Sequence, residues 1–223
     1  AERGRLPDAL IRIGIRRLLR QRLAEEHAAD PEAAAIRYAQ RIEQLGRSAI
    51  ALETDAANAQ HYEVPTAFYR EVLGRHLKYS SAEWGGGVEN LDAAEARMLT
   101  ITCERAGLVD GQQVLELGCG WGSLSLWMAE HYPASRITSV SNSASQREYI
   151  LGVAAERGLE NLEVLTCDVN RLKLDRQFDR VVSVEMFEHV RNYRELMGRI
   201  AAWLVPDGQL FVHILFDKPA SRA

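Results

Sequence analysis

The stretch Val114-Leu-Glu-Leu-Gly-Cys-Gly-Trp-Gly-Ser123 runs from apolar residues into three alternating glycines. Its apolar half predicts a buried strand, and the following residues, Leu124-Ser-Leu-Trp-Met-Ala-Glu-His131, predict a helix. Glycine adopts positive φ at little cost and has no side chain to obstruct a ligand. A strand, a Gly-rich turn and a helix form the opening unit of a doubly wound, Rossmann-like α/β fold. Ligands of that fold bind at the carboxyl ends of the strands.

The spacing of the glycines separates two classes of nucleotide-containing cofactor. They follow the pattern G-x-G-x-G, at Gly118, Gly120 and Gly122. A dinucleotide site has the spacing G-x-G-x-x-G and an acidic residue about 20 positions further on, whereas here the second predicted strand ends in Asn142-Ser143. An acidic residue inside the first strand, Glu116, followed by G-x-G-x-G is typical of S-adenosylmethionine (SAM)-dependent methyltransferases. The alternative is a nucleotide-binding dehydrogenase.

Length and composition restrict the class of protein. The 223 residues leave room for one α/β core and an appendage. With 27 basic and 31 acidic side chains, the net charge is −4, which does not favour a nucleic-acid partner. No apolar run approaches the roughly 18 residues of a membrane span, and the Arg-rich start lacks the apolar stretch of a signal peptide. The three cysteines show neither disulfide nor metal spacing. We therefore expect a cytoplasmic protein without a metal.

The chain is predicted to fold in three parts: a helical N-terminal cap (1–57), a cap-to-core segment (58–109) and a SAM-binding core (110–223). Strands and helices alternate in the core, which implies a parallel sheet with helices on both faces. The predicted strands are 113–118, 136–141, 162–167, 179–184 and 208–215. The predicted helices are 122–131, 144–157 and 192–203. A methyltransferase core normally continues beyond a fifth strand, so we expect the C-terminal strands to be absent from this chain.

The cap is predicted to contain two helices, at 10–23 and 33–59. Arginines at i, i+4 spacing form one basic face of the first helix: Arg12, Arg16 and Arg20. This face fits a solvent-exposed cap helix, and it also fits a helix that lies on a membrane surface.

Four further motifs occur in a fixed order along the chain. They are His61-Tyr-Glu-Val-Pro-Thr-Ala-Phe-Tyr69, Leu77-Lys-Tyr-Ser-Ser-Ala-Glu-Trp84, Asn142-Ser-Ala-Ser-Gln146 and Phe178-Asp-Arg-Val-Val-Ser-Val-Glu-Met-Phe-Glu-His189. Together they resemble the cyclopropane-fatty-acid synthase superfamily of SAM enzymes, over residues 58–218. The resemblance implies a class I methyltransferase core that uses SAM and releases S-adenosylhomocysteine (SAH).

Two details favour one branch of that superfamily. Its lipid cyclopropane synthases carry Cys where this chain has Ser81, and they usually carry Gly where it has Glu185. The run Glu185-Met-Phe-Glu-His189, followed by Asn192-Tyr193, instead resembles the coclaurine-type amine N-methyltransferases. We therefore predict methyl transfer to the amine nitrogen of a small molecule. The sequence identifies neither the acceptor nor the oligomeric state.

The resemblance also implies which residues contact SAM. Those at the methionine end are Tyr79 and Ser80, with Glu116 beneath the ammonium group and Gly118, Gly120 and Gly122 at the backbone approach. Those at the ribose are Ser141, Asn142 and Gln146. Those bordering the adenine are Asp168, Val169 and Asn170.

An amine acceptor must lose a proton before or during its attack on the methyl group. A histidine suits this role because its pKa lies near neutrality. His189 follows the fourth predicted strand and is the candidate base. Glu188 or Glu185 is expected to orient its imidazole or to attract a cationic amine.

Two other hypotheses stay open. In the lipid mechanism, SAM alkylates a phospholipid double bond and a bound bicarbonate, held by Glu188 and His213, removes the proton. His213 has a second interpretation, since a histidine that stands alone on an apolar strand is often a hydrogen-bonded core residue. In the second hypothesis, the chain is a SAM-binding module without catalysis.

Aromatic residues between cap and core fit either an acceptor pocket or the seam joining the two parts: Tyr62, Phe68, Tyr69 and Trp84. Glu63 is a further candidate contact to an amine.

Overall fold

The structure, a computed structural model, describes residues 7–26, 31–52 and 66–215. It contains two compact units, Ala1–Arg47 and Ser48–Ala223. The first unit holds two helices, α1 (Asp8–Glu26) and α2 (Pro31–Gly46). None of the described helices has both the length and the apolar character needed to cross a membrane. The cytoplasmic location stays a prediction.

The predicted helix 33–59 is correct only as far as Gly46. Residues 47–52 are not helical, and residues 48–52 belong to the second unit. There Ile50 is 2% exposed, and its carbonyl oxygen accepts a hydrogen bond of 2.7 Å from the backbone N–H of Arg191. Residues 53–59 lie outside the described residues, as do Tyr62 and Glu63.

The second unit is built on a parallel sheet. Its strands are β1 (Gln113–Leu117), β2 (Arg136–Ser141), β3 (Leu162–Thr166), β4 (Phe178–Val184) and β5 (Leu204–His213), in the spatial order β3-β2-β1-β4-β5. All four neighbouring pairs are parallel. The order reverses between β1 and β4, and the carboxyl ends of all strands meet at one edge. This is the edge at which a doubly wound fold binds its ligands.

Helices connect and cover the strands. They are α3 (Thr66–Val72), α4 (Leu91–Arg105), α5 (Ser123–His131), α6 (Ala144–Glu156) and α7 (Tyr193–Trp203), with a short 3₁₀ turn at Phe187–His189. Successive residues of β1 bury on opposite faces of the sheet. Val114 packs in a cluster with residues of α4 and α5, whereas Leu115 packs with residues of α7. The sheet is therefore covered on both faces, as predicted.

Sequence reasoning assigned no helix to α4 and began β5 too late. The side chain of Asn90 caps α4 by accepting a hydrogen bond of 2.9 Å from the backbone N–H of Ala93, a signal that was available in the sequence. The predicted start of β5 at 208 rested on Asp207-Gly208 as a turn. Asp207 does have a φ of +67°, but pairing with β4 begins earlier, at Leu204, and the register shifts across this point.

Candidate active site

The Gly-rich turn after β1 leaves open space beside one of its three glycines. All three glycines have positive φ. A Cβ on Gly118 would lie 2.8 Å from Met186, and one on Gly122 would lie 2.5 Å from Ile150, so close packing excludes side chains there. A Cβ on Gly120 would meet nothing within 4 Å. The backbone at Gly120 therefore faces open space, where a ligand can approach it closely.

Glu116 lies under this turn and is 3% exposed. Its Oε2 accepts hydrogen bonds from the hydroxyls of Ser125 and Ser139, the latter at 2.8 Å. Burial raises the pKa of Glu116, while the two hydrogen bonds act in the opposite direction. The carboxyl group thus ties β1 to β2 and to α5, and its place beneath the ammonium group of SAM stays a prediction.

The turn after β2 contains a buried amide with an unused donor. Gln146 is 2% exposed, and its Oε1 accepts a hydrogen bond of 2.6 Å from the hydroxyl of Ser141. That same hydroxyl accepts the backbone N–H of Ser143 at 3.0 Å. Among the described residues, Nε2 of Gln146 has no hydrogen-bond partner. A buried unpaired donor costs about 1–3 kcal/mol, so this amide fits a ligand that offers an oxygen. Asn142 is half-buried in the same turn.

The turn after β3 is held by hydrogen bonds within it and by bonds to residues 48–52 and to α7. Oδ1 of Asp168 accepts hydrogen bonds from the backbone N–H and the side-chain amide of Asn170, at 2.7 and 2.9 Å. The same amide of Asn170 is bonded to the backbone of Ala51 through both its nitrogen, at 3.0 Å, and its oxygen, at 3.2 Å. Val169 is half-buried, and its carbonyl oxygen accepts a hydrogen bond of 3.2 Å from Arg199. The side chain of Asn170 therefore anchors residues 48–52, which sequence reasoning did not foresee.

Glu185, directly after β4, binds two hydroxyls from a distant part of the chain. Ser80 donates to Oε2, and Ser81 donates to Oε1 at 2.6 Å. Both Ser81 and Glu185 have left-handed φ, +59° and +53°. Burial acts to raise the pKa of Glu185, but these hydrogen bonds and the charges of Lys78 and His213 outweigh it, so the pKa lies below its ordinary value. Both carboxylate oxygens of Glu185 are thus engaged by hydroxyls, which link the end of β4 to Ser80 and Ser81.

Glu188 and His189 lie on the 3₁₀ turn beside Glu185, and both are exposed. Oε1 of Glu188 accepts the backbone N–H of Leu215 at 2.5 Å. The hydroxyl of Tyr193 donates to the carbonyl of Phe187 at 2.7 Å and so ties the turn to α7. His213 is half-buried at the end of β5, where its carbonyl oxygen accepts the backbone N–H of Glu185 at 2.7 Å. The structure thus brings all four predicted catalytic residues to the carboxyl edge.

An aromatic cluster covers the Gly-rich turn. Tyr69, on α3, is 4% exposed; its ring centroid lies 5.3 Å from that of Trp121 and 5.7 Å from that of Tyr79. Tyr79 is 67% exposed, so most of its ring is available to a ligand. Phe68 packs edge-on against Tyr69, while Trp84 is exposed. The predicted cofactor contact Tyr79 therefore stands beside the turn that opens at Gly120.

Two buried charged residues near the site were not predicted from the sequence. Glu95, on α4, is fully buried, and Lys78 is 7% exposed. Charged side chains are almost never buried to this extent without partners, but burial itself leaves no mark in a single sequence. The described residues contain no group of His, Cys, Asp and Glu that could hold a metal ion.

The family model for mycolic acid cyclopropane synthetase matches residues 51–222. The chain belongs to this family. Its curated relatives include (S)-coclaurine N-methyltransferase from Thalictrum flavum subsp. glaucum, 39% identical over 97% of this chain and 60% of the relative. Cyclopropane-fatty-acyl-phospholipid synthase from Escherichia coli (strain K12) is 35% identical over 71% of this chain and 40% of the relative.

The structural comparison gives the same family. A crystal structure of coclaurine N-methyltransferase, bound to N-methylheliamine and SAH, is 37% identical to this chain. The similarity has a TM-score of 0.80 and covers 94% of this chain and 61% of that one. The chain thus spans about 60% of the length of the coclaurine N-methyltransferases it matches.

Proposed function

We propose that this chain is the catalytic core of a SAM-dependent methyltransferase that methylates the amine nitrogen of a small molecule. The observation that carries the proposal is the Gly-rich turn, open at Gly120, with the unpartnered Nε2 of Gln146 on the neighbouring turn. Backbone and amide donors at the carboxyl edge of a parallel sheet suit a nucleoside cofactor. The similarity to coclaurine N-methyltransferase supports the amine as acceptor.

The residues at the edge fit SAM in chemical type. We assign Gln146 as the donor to a ribose oxygen, with the hydroxyl of Ser141 fixing the orientation of its amide. The N-terminus of α5 and the backbone at Gly120 approach the methionine end of the cofactor, where Tyr79 and Ser80 close the site. We assign the adenine to the turn at Asp168 and Val169. SAM supplies a methyl group on an activated sulfonium, so the protein needs mainly to align the acceptor and exclude water.

The exposed pair Glu188 and His189 performs the proton transfer in this proposal. His189 accepts the proton of the amine, and Glu188 stabilises the resulting imidazolium by its charge. Glu185 does not share this role, because both of its oxygens are bonded to serine hydroxyls. Its negative charge at the rim of the site attracts a cationic amine.

SAH release from SAM tests the proposal. The acceptors are a panel of secondary and tertiary amines and, in parallel, vesicles of unsaturated phospholipid. We expect release with amines alone. Release with vesicles alone, and its loss in bicarbonate-depleted buffer, would replace the amine mechanism by the lipid one. Binding of SAH without turnover on either acceptor would favour a binding module.

A further inference from the structure

The segment that carries Tyr79 and Ser80 is fastened to α4 by one buried carboxylate. Oε1 of Glu95 accepts the backbone N–H of Gly74 at 2.9 Å, and Oε2 accepts that of His76 at 2.9 Å. The backbone N–H of Lys78 also acts on this carboxylate, in the direction that lowers its pKa. Residues 74–77 form a turn, closed by a hydrogen bond of 2.9 Å from the backbone N–H of Leu77 to the carbonyl oxygen of Gly74, and the turn directs the N–H groups of Gly74 and His76 to the one carboxylate. Glu95 thus fixes the path of residues 74–81, here called the closing segment.

The opposite end of the closing segment is fastened to β4. The hydroxyls of Ser80 and Ser81 donate to Glu185. Lys78, between the two attachments, is buried and interacts electrostatically with both Glu185 and Glu95. Tyr79, the exposed residue predicted to contact the cofactor, is therefore held between two carboxylates that lie in different elements of the core.

Steric packing shows how closely the backbone of Gly74 lies against the carboxylate of Glu95. A Cβ on Gly74 would lie 2.6 Å from Oε2 of Glu95 and 2.8 Å from Oδ1 of Asp92. Asp92 makes a separate bond, accepting the backbone N–H of Arg75 at 2.8 Å, but it is exposed. Burying a carboxylate is costly unless it is fully hydrogen-bonded, and Glu95 meets this condition only while the closing segment keeps its present path.

We propose that Glu95 is a positioning residue for the cofactor: it sets the path of the closing segment and thereby the affinity for SAM. The inference rests on the proposed function, since it concerns the same site. Glu95 does not touch the cofactor. It acts through the backbone of Gly74 and His76, and through the charge of Lys78.

The test uses Glu95→Gln, with Asp92→Asn as the matched control. The amide replaces one acceptor oxygen by a donor that faces a backbone N–H, whereas Asn at position 92 keeps an acceptor oxygen for Arg75. We expect Glu95→Gln to weaken SAH binding about tenfold or more in calorimetry and to raise KM for SAM equally, with kcat at saturating SAM changed by less than about threefold. Asp92→Asn should stay within about twofold of the wild type.

A purely structural role would lower the melting temperature of Glu95→Gln yet leave SAH affinity within twofold, and this result would overturn the proposal. If Glu95→Gln does not fold, Gly74→Ala displaces the same carboxylate sterically and should weaken SAH binding by a similar factor. Unchanged affinity there would equally overturn it. Calorimetry with SAH needs no acceptor. A wild-type chain that fails to bind SAH would overturn the proposed function together with this assignment, whereas wild-type binding with an unaffected variant overturns the assignment alone.

Discussion

Alanine at two glycines of the same turn is predicted to affect stability and cofactor binding in opposite orders: one variant loses more stability, and the other loses more affinity. Both Gly120 and Gly122 have left-handed φ, +53° and +78°, so alanine costs about 1–2 kcal/mol of backbone strain at either position. At Gly122 the new Cβ would also lie 2.5 Å from Ile150, which is fully buried. Overpacking of this kind adds about 1–3 kcal/mol. We therefore expect Gly122→Ala to lower the free energy of unfolding by about 2–5 kcal/mol, and Gly120→Ala by no more than about 2 kcal/mol.

Cofactor binding should show the reverse order. The Cβ at position 120 enters open space, which in the proposed site is where SAM approaches the backbone. Gly120→Ala should therefore weaken SAH binding by about tenfold or more, equal to about 1.4 kcal/mol, while a folded Gly122→Ala loses less. Urea unfolding monitored by circular dichroism measures the stabilities, and calorimetry measures the affinities. If Gly120→Ala binds SAH like the wild type, the cofactor does not lie over this turn. If the two variants lose equal stability, the packing argument at Ile150 is wrong.

Three further predictions concern the anchors and the base. His189→Ala should lower kcat for amine methylation about a hundredfold without changing the melting temperature, because His189 is exposed; turnover near the wild-type rate would remove it from the mechanism. Glu185→Gln should alter the pH dependence of stability. Folding lowers the pKa of Glu185 from its ordinary 4.5, so its stabilisation is present above pH 4.5 and is lost as the pH falls through the folded pKa. The stability difference between this variant and the wild type should therefore vanish in acid, and a constant difference would contradict it. Asn170→Ala should lower the free energy of unfolding by about 1–3 kcal/mol, because it removes both bonds to Ala51, and a tenfold loss of SAH affinity would instead show that its side chain contacts the cofactor.

Periodicity and turn chemistry were sufficient to predict the sheet. The apolar run before Gly118 and the switch to helical spacing after Ser123 place β1 and α5 within a residue of their observed bounds, since both signals are local. The helix α4 was missed although Asn90 supplies a capping side chain directly before it. Its most consequential residue, Glu95, has the same side-chain charge as the surface acids around it. No local pattern states that a glutamate will be fully buried.

The pairing of Glu185 with the two serines shows why site residues were predicted more readily than their roles. Motif similarity brought Ser80 and Glu185 to the same edge, but the two lie 105 positions apart, and which hydroxyl meets which oxygen is decided by the path of the closing segment. The same contact gives a physical basis to the choice between amine and lipid branches. Glycine would adopt the left-handed φ of Glu185 more cheaply. A glutamate stands there at a cost in strain, which its bonds to Ser80 and Ser81 offset, and one of the two bonds depends on the hydroxyl at position 81. Ser81 and Glu185 therefore act as one unit. The hydroxyl of Ser81 stabilises the carboxylate of Glu185, and neither residue alone indicates the chemistry.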